Sequence, residues 1–288
     1  MIAFVVFPDF QLLDAAGPIA AFEMAARFAP ESYRIRVAAV RPGAIRSSSG
    51  VSIPAEALAR QRQIDTLIVA GGQGTPEAMG EEHLLALLRR LQPRVRRMAS
   101  VCSGAFVLAA AGLLDGKRAT THWRQALRLA QLFPSIGVEA DRIHVRDGKI
   151  WTSAGVSAGI DLALAMIGED LGEDIATAVA REMVVYAKRP GGQAQHSALL
   201  DLASEGDRFA KLNAWIGEHL GEDLSVARLA REAAMSERNF ARAYAESTGV
   251  TPAKAVERLR AEAARAALER GGQIQEIARE TGFGDPER

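Results

Sequence analysis

The sequence predicts an α/β sandwich, a parallel sheet covered by helices on both faces, followed by an all-α domain. Three observations carry this. Short apolar runs alternate with helix-length amphipathic stretches over the first part of the chain. The pattern breaks at residues 188–198, KRPGGQAQHSA, which are rich in Gly, Pro and polar residues and have no period. Beyond about residue 207 no strand signal remains, and Ala, Arg, Glu and Leu recur at helical spacing. These features divide the chain into a first domain over 1–189, a linker over 190–206 and a second domain over 207–288.

The elements follow in order. Residues 2–7 read as a strand and 19–28 as a helix. Residues 34–40 are β-rich, with Tyr33, Ile35 and Val37 alternating. DTLIVA, 65–70, is a buried strand ended by Gly71-Gly72. Residues 82–91 form an amphipathic helix with Leu84, Leu87, Leu88 and Leu91 on one face. A strand over 98–101 runs into Cys102, and 103–111 is helical. A helix over 123–133, a short strand over 149–153 and a strongly apolar helix over 157–168 complete the first domain.

Composition narrows the function classes. With 48% hydrophobic and 24% charged residues the chain is an ordinary globular protein, and disorder does not dominate. The 35 basic and 35 acidic residues cancel, so the whole chain gives no electrostatic sign of a nucleic-acid partner. Cys102 is the one cysteine, which excludes a disulfide framework and a cysteine-based zinc site and fits a reducing compartment. The start, MIAFVVFPDFQLLD, lacks the basic residues of a signal peptide and meets an acid at Asp9. No apolar run reaches the roughly 18 residues that read as a membrane span. A cytoplasmic protein with no metal, no cofactor and no membrane partner is expected.

Chemistry concentrates in RMASVCSGAFVLAAAGLLDG, residues 97–116. A strand runs into Cys102 and then into a helix of small residues, the layout of a nucleophile elbow. The turn lifts the side chain to the carboxyl end of the sheet. The next helix points its positive N-terminus at the sulfur, which predicts a lowered thiol pKa. The Ser103 amide is placed to help form an oxyanion hole. Asp14 in FQLLDAAGP follows the first strand, and the Gly71 and Gly72 amides are candidate anion donors. His122 in ATTHW follows another short strand, and Ala154 and Gly155 lie in the loop SAGVSAG that opens the last long helix. Ligands in open parallel sheets bind at the carboxyl ends of strands. The predicted ligand set is therefore Asp14, Gly71, Gly72, Cys102, Ser103, His122, Ala154 and Gly155. If the protein is an enzyme, Cys102, Asp14 and His122 are its catalytic set. Each has a structural alternative: core filler for Cys102, a cap on the helix before Pro18 for Asp14, a hydrogen-bonded structural role for His122, a tight turn for the two glycines. His196 and Ser197 carry no pattern.

In the second domain Leu224-Ser225 opens a helix with Val226, Leu229, Ala230 and Ala233 on its apolar face. A short turn, Ala234-Met235, leads to Ser236 at an N-cap position, and Phe240 and Tyr244 face inward. Helix, tight turn and capped second helix is the helix-turn-helix layout. The second helix lies in the major groove in such modules, so Ser236, Glu237, Arg238, Asn239 and Arg242 are the predicted DNA-binding residues. Ile274, Ile277 and Ala278 begin a similar unit, and GFGDPER supplies a turn, a cap candidate in Asp285 and Pro286 at the first helical position. From Glu205 to Arg288 there are 13 Lys and Arg against 15 Asp and Glu, so the net charge there is about −2 and does not favour DNA.

Residues 206–288 resemble the tandem helix-turn-helix domain of the AraC family through LSVARLAREAAMSERNFARAY, STGVTPAKAVERLRAEAARAAL and IQEIARETGFGDPER, in that order. In that family the second reading helix continues past the GF motif, whereas this chain stops at Arg288, so the second motif is expected to be truncated. Residues 1–187 resemble the PfpI-like superfamily, which shares the class I glutamine-amidotransferase-like, flavodoxin-like α/β fold. Cys102 matches its elbow cysteine, Asp14 its nearby acid, often a Glu, and His122 a histidine seen in several members. The shorter acid is similar to the hydratase-like branch. The combination resembles the GlxA-type regulators. It implies a transcription regulator that senses a small, nitrogenous metabolite around Cys102 and binds operator DNA as a homodimer. The resemblance leaves two alternatives, a cysteine-dependent enzyme of the isocyanide-hydratase or PfpI-like type, and a redox or stress sensor acting through Cys102.

Overall fold

Six strands lie parallel at the centre of the first domain, in the order β4-β2-β1-β5-β6-β10. They are β1 (Ile2–Val5), β2 (Ile35–Ala39), β4 (Ser52–Ala57), β5 (Thr66–Val69), β6 (Arg97–Val101) and β10 (Ile150–Ser153). Antiparallel strands close both edges, β3 (Gly43–Arg46) beside β4 and β9 (His144–Asp147) beside β10. A separate parallel pair joins β7 (Arg118–Ala119) to β8 (Gly137–Val138). The computed structural model describes residues 1–185, 209–269 and 273–284. The linker expected over 190–206, with His196 and Ser197, lies outside these residues, as do Asp285 and Pro286. The chain divides into two units, Met1–Gln193 and Ala194–Arg288.

Strand alternation sends successive side chains to opposite faces, and both faces are apolar. Ile2, Phe4, Ile68, Ala99 and Val101 face a core with α1 (Leu12–Phe28), α6 (Ala158–Leu171) and α7 (Glu173–Glu182). Val5, Leu67, Val69 and Met98 face a second core with α3 (Glu82–Leu91) and α4 (Gly104–Ala110). The elements α2 (Thr75–Gly80) and α5 (Trp123–Leu132) flank the carboxyl ends of the strands. At the amino end of the sheet, buried Arg97 pairs with Asp170, which also accepts from Tyr33, so this end is fastened by satisfied charge.

The helix expected over 19–28 begins at Leu12, with Pro18 inside it. Asp14 is therefore in its first turn, fully buried, and not a cap ahead of Pro18. The sheet is not wholly parallel, because β3 and β9 run antiparallel at its edges. The order of strands reverses beside β1, so the loops after β1, β5, β6 and β10 open at one edge, where parallel sheets place ligands.

The second unit contains α8 (Ala210–Glu218), α9 (Val226–Glu232), α10 (Glu237–Thr248), α11 (Pro252–Glu269) and α12 (Ile274–Glu280). Phe209, Ile216, Leu229, Phe240, Tyr244 and Ala255 form its core. Buried Tyr244 satisfies its hydroxyl by donating to Asn213 Oδ1 at 2.6 Å. Ser225 caps α9, its hydroxyl accepting from the Arg228 amide. The turn to α10 is a Schellman motif. The Met235 amide bonds the Ala230 carbonyl, and the Ala234 amide bonds that of Arg231. Ala234 takes φ +53, a conformation that favours glycine. The same pair of bonds ends α12, from Phe283 to Ala278 and from Gly282 to Arg279, with Gly282 at φ +72. The two turns are thus built alike, as a repeated motif requires.

Candidate functional site

Cys102 follows β6 with φ +57, the strained backbone of an elbow. Its amide bonds the Ser153 and Ala154 carbonyls, and its carbonyl accepts from the Thr121 hydroxyl at 2.8 Å. The elbow is therefore clamped from β10 and from the loop after β7. Close packing completes it. A Cβ on Gly71 would stand 2.6 Å from the Ser103 amide nitrogen, and one on Gly155 would stand 2.7 Å from Cys102 Sγ. Only glycine fits at either place.

Asp14 sits behind the thiol. One carboxylate oxygen accepts from the Gly71 amide at 3.1 Å and the other from the Val156 amide at 3.0 Å, and the Cys102 thiol lies close enough to feel the carboxylate's charge. Burial pushes the Asp14 pKa up to about 6, against the pull of those donors. Burial likewise pushes the thiol up to about 12, the Asp14 charge adds to the rise, and the Ser103 amide offsets part of it. The lowered thiol pKa predicted from the sequence is overturned. Helix α4 has only seven residues, so its dipole is outweighed by desolvation and a facing carboxylate.

The glycine amides are also committed. Gly71 gives its N–H to Asp14, and Gly72 gives its N–H to Ser103 Oγ at 2.9 Å. Ser103 Oγ lies 2.8 Å from the Thr75 hydroxyl. The expected anion-donor role of Gly71 and Gly72 is corrected accordingly: they shape the site, and their donors are spent inside it. The Ser103 amide is directed at the sulfur. His122 caps α5, its Nδ1 accepting from the Arg124 amide at 3.3 Å, and its ring stacks on Trp123. The hypothetical Gly155 Cβ lies 2.5 Å from His122 Cδ2, so the imidazole edge and the thiol meet across that glycine.

In front of the thiol is an open cleft of about 370 Å³, within the size range of small-ligand sites. Of the residues expected to bind a ligand, Gly72, Cys102, Ser103 and His122 line it. Asp14 and Gly71 lie behind this surface, fully buried, and the loop of Ala154 and Gly155 reaches it through Val156. Sequence reasoning missed the outer wall. Met79 and Phe106 are apolar there, Gln11 and Gln73 are neutral, and Arg124, Gln125 and Arg128 project from α5. The four-residue spacing of the two arginines, beginning two residues after His122, is the signal that could have found them. Val156 lines the cleft at φ +58, an outlier for a β-branched residue.

On the second unit Ser236, Glu237, Arg238, Asn239 and Arg242 are all exposed on α10, while Phe240 and Tyr244 are buried on its other face. Arg242 donates to Asn239 Oδ1 at 3.3 Å. Ser236 has the extended backbone of an N-cap, but its hydroxyl makes no capping bond, contrary to the sequence expectation. The helix entry is held instead by the Schellman turn.

Comparison with known proteins agrees with this geometry. A model of the DJ-1/PfpI family matches residues 1–169, and one of a helix-turn-helix domain matches residues 229–288. The chain is 36% identical to an isonitrile hydratase of Pseudomonas putida, over 66% of this chain and 79% of that protein. It is 32% identical to the HTH-type transcriptional regulator GlxA of Rhizobium meliloti, over 88% of this chain and 79% of the regulator. Among solved structures, a THiJ/PfpI family protein from Pseudomonas syringae superposes with a TM-score of 0.60 at 28% identity, covering 81% of this chain and 88% of that one.

Proposed function

Because the chain belongs to the DJ-1/PfpI family and joins that domain to a helix-turn-helix domain, we propose that it is a sequence-specific DNA-binding transcription regulator whose first domain senses a small metabolite over Cys102. The carrying observation is the division of α10, with five polar or charged side chains outward and Phe240 and Tyr244 locked in the core. Such a helix presents base-reading groups on a rigid support. The cleft supports sensing over turnover, since its thiol is held protonated and its glycine amides are already bonded. A ligand regulates only if it binds two states of the protein with different affinity. The protein acts in the cytoplasm, on operator DNA, and as a homodimer, since two-fold proteins suit paired half-sites.

Selection of genomic fragments by the purified full chain tests this reading. Enrichment of a short common sequence is expected. Retention no better than for random DNA sinks it. Light scattering after size exclusion tests the dimer, and a strict monomer overturns that part.

One observation favours a second reading. The juxtaposition of Asp14 and Cys102 and the likeness to the isonitrile hydratase fit a hydratase that adds water to an isocyanide carbon. Turnover of an alkyl isocyanide that disappears in Cys102→Ala supports it. The redox-sensor reading is disfavoured by the raised thiol pKa.

A further inference from the structure

The cleft over Cys102 carries charge of one sign. We infer that its ligand is a small carboxylate, anchored by the guanidinium groups of Arg124 and Arg128; this rests on reading the cleft as a ligand site.

The two arginines lie one turn apart on α5, so they share a face, and both line the cleft. Arg124 stacks over the Trp123 ring at 5.0 Å, which restrains its guanidinium beside the cleft mouth. Neither arginine forms an ion pair among the described residues. Many arginines of this domain do: Arg89 with Glu82, Arg96 with Asp65, Arg118 with Glu139, Arg146 with Glu169. The pair on α5 is left facing the cleft.

No Asp or Glu is among the lining residues. The acid beside the thiol, Asp14, is fully buried and bonded to two amides. A cationic ligand therefore meets no carboxylate on the cleft surface. Phe106 and His122 are the aromatic rings of the lining, too few to cage a quaternary ammonium. A carboxylate meets two guanidinium forks, which match it in shape and charge. Met79, Phe106 and Pro76 supply an apolar wall for a short carbon body, and Gln11, Gln73 and Ser48 supply neutral hydrogen-bonding groups for further substituents. Positive charge is not general to this surface. A second cleft of similar volume, beside Phe7 and Ile45, is edged by three acids, Asp9, Glu77 and Glu81, against one cation, Arg41. If the metabolite also bears nitrogen, the acid group is the end that is held.

Titration calorimetry on the full chain tests this with propionate and succinate as probes, and propionamide and propylamine as matched controls. Both acids should bind, with the amide at least about tenfold weaker and the amine without detectable heat. Arg128→Gln should weaken succinate at least about tenfold while moving the unfolding midpoint by no more than about 1 °C, since Arg128 is an exposed helix residue. Arg128→Lys should recover part of the loss, because it keeps the charge but not the fork. Equal binding of propionamide or propylamine overturns the inference. So does unchanged succinate affinity in Arg128→Gln, or failure of either acid to bind below about 20 mM. Operator binding is measured on the same samples. Arginine-dependent carboxylate binding that leaves DNA occupancy unmoved keeps this inference and removes the sensing role. DNA selection that succeeds where no carboxylate binds does the reverse.

Discussion

The Cys102 thiol and the Asp14 carboxylate face each other in a buried setting, and each holds the other from its ordinary chemistry. The carboxylate disfavours a thiolate beside it, and burial disfavours both charges. A pair arranged this way keeps its proton on sulfur at neutral pH.

Alkylation should therefore be slow. With the thiol pushed from 9.0 up to about 12, the thiolate fraction at pH 8 falls roughly a thousandfold below that of a free cysteine. Iodoacetamide rates across pH 7 to 11 measure this, and a plateau below pH 9 contradicts it. Asp14→Asn removes the facing charge and should raise the rate, though burial keeps it below that of a free thiol.

Stability should carry the mark of Asp14. Its pKa rises from 3.8 to about 6 on folding, so the folded state holds this proton more tightly than the unfolded chain. The resulting stabilisation is complete below pH 3.8 and is lost as pH rises through about 6, a change of about 3 kcal/mol. Urea unfolding of wild type and Asp14→Asn from pH 4 to pH 7 isolates it, because other carboxylates cancel in the difference. The wild-type advantage should shrink with rising pH; a flat difference refutes the assignment.

Gly155→Ala should damage the elbow. The added methyl group would meet both His122 and Cys102 Sγ, so the cost is about 1–3 kcal/mol. Gly80→Ala is the control, since nothing lies within 4 Å of its Cβ position. Equal unfolding midpoints for the two variants would remove the packing account.

Ala234→Gly should stabilise the second unit. Its left-handed conformation costs an L-residue about 1 kcal/mol that glycine does not incur. Gly282 already occupies the equivalent place after α12. A lowered thermal midpoint would show that the alanine methyl group makes a compensating contact.

Arg238→Ala should reduce operator affinity by about 1–3 kcal/mol and relax preference at one base position, if this side chain reads an edge. Uniform weakening on all sequences would make it a phosphate contact instead. Gel-shift titrations on the selected site and on single-base variants separate the two.

The legible parts of the fold were those with strong periodicity. The Glu82–Leu91 helix follows directly from its leucine spacing, and the strand into Cys102 from its apolar run and small-residue sequel. Pro18 hid the start of α1, because proline reads as a boundary when sequence alone is weighed. The β3–β4 hairpin does not stand out in the sequence because its strands are short, poor in β-branched residues and interrupted by Pro54. The residues around the thiol were legible as types, but the destination of each backbone amide was not. Those bonds join positions far apart in sequence, and they decide that Gly71 and Gly72 are internal donors. The sign of the thiol shift was misread for the same reason, since burial and a facing acid are tertiary facts.

Asp14 reaches 57 residues along the chain to Gly71 and 142 to Val156. One carboxylate thus ties together two long-range connections at the cleft. Long-range closures are slow to form in folding, and no partial chain lacking β10 can make the second one. The cleft is consequently a property of the finished domain. A ligand that bound there would draw the folding equilibrium toward the finished domain by mass action, and its concentration would then set how much folded protein persists as well as its state.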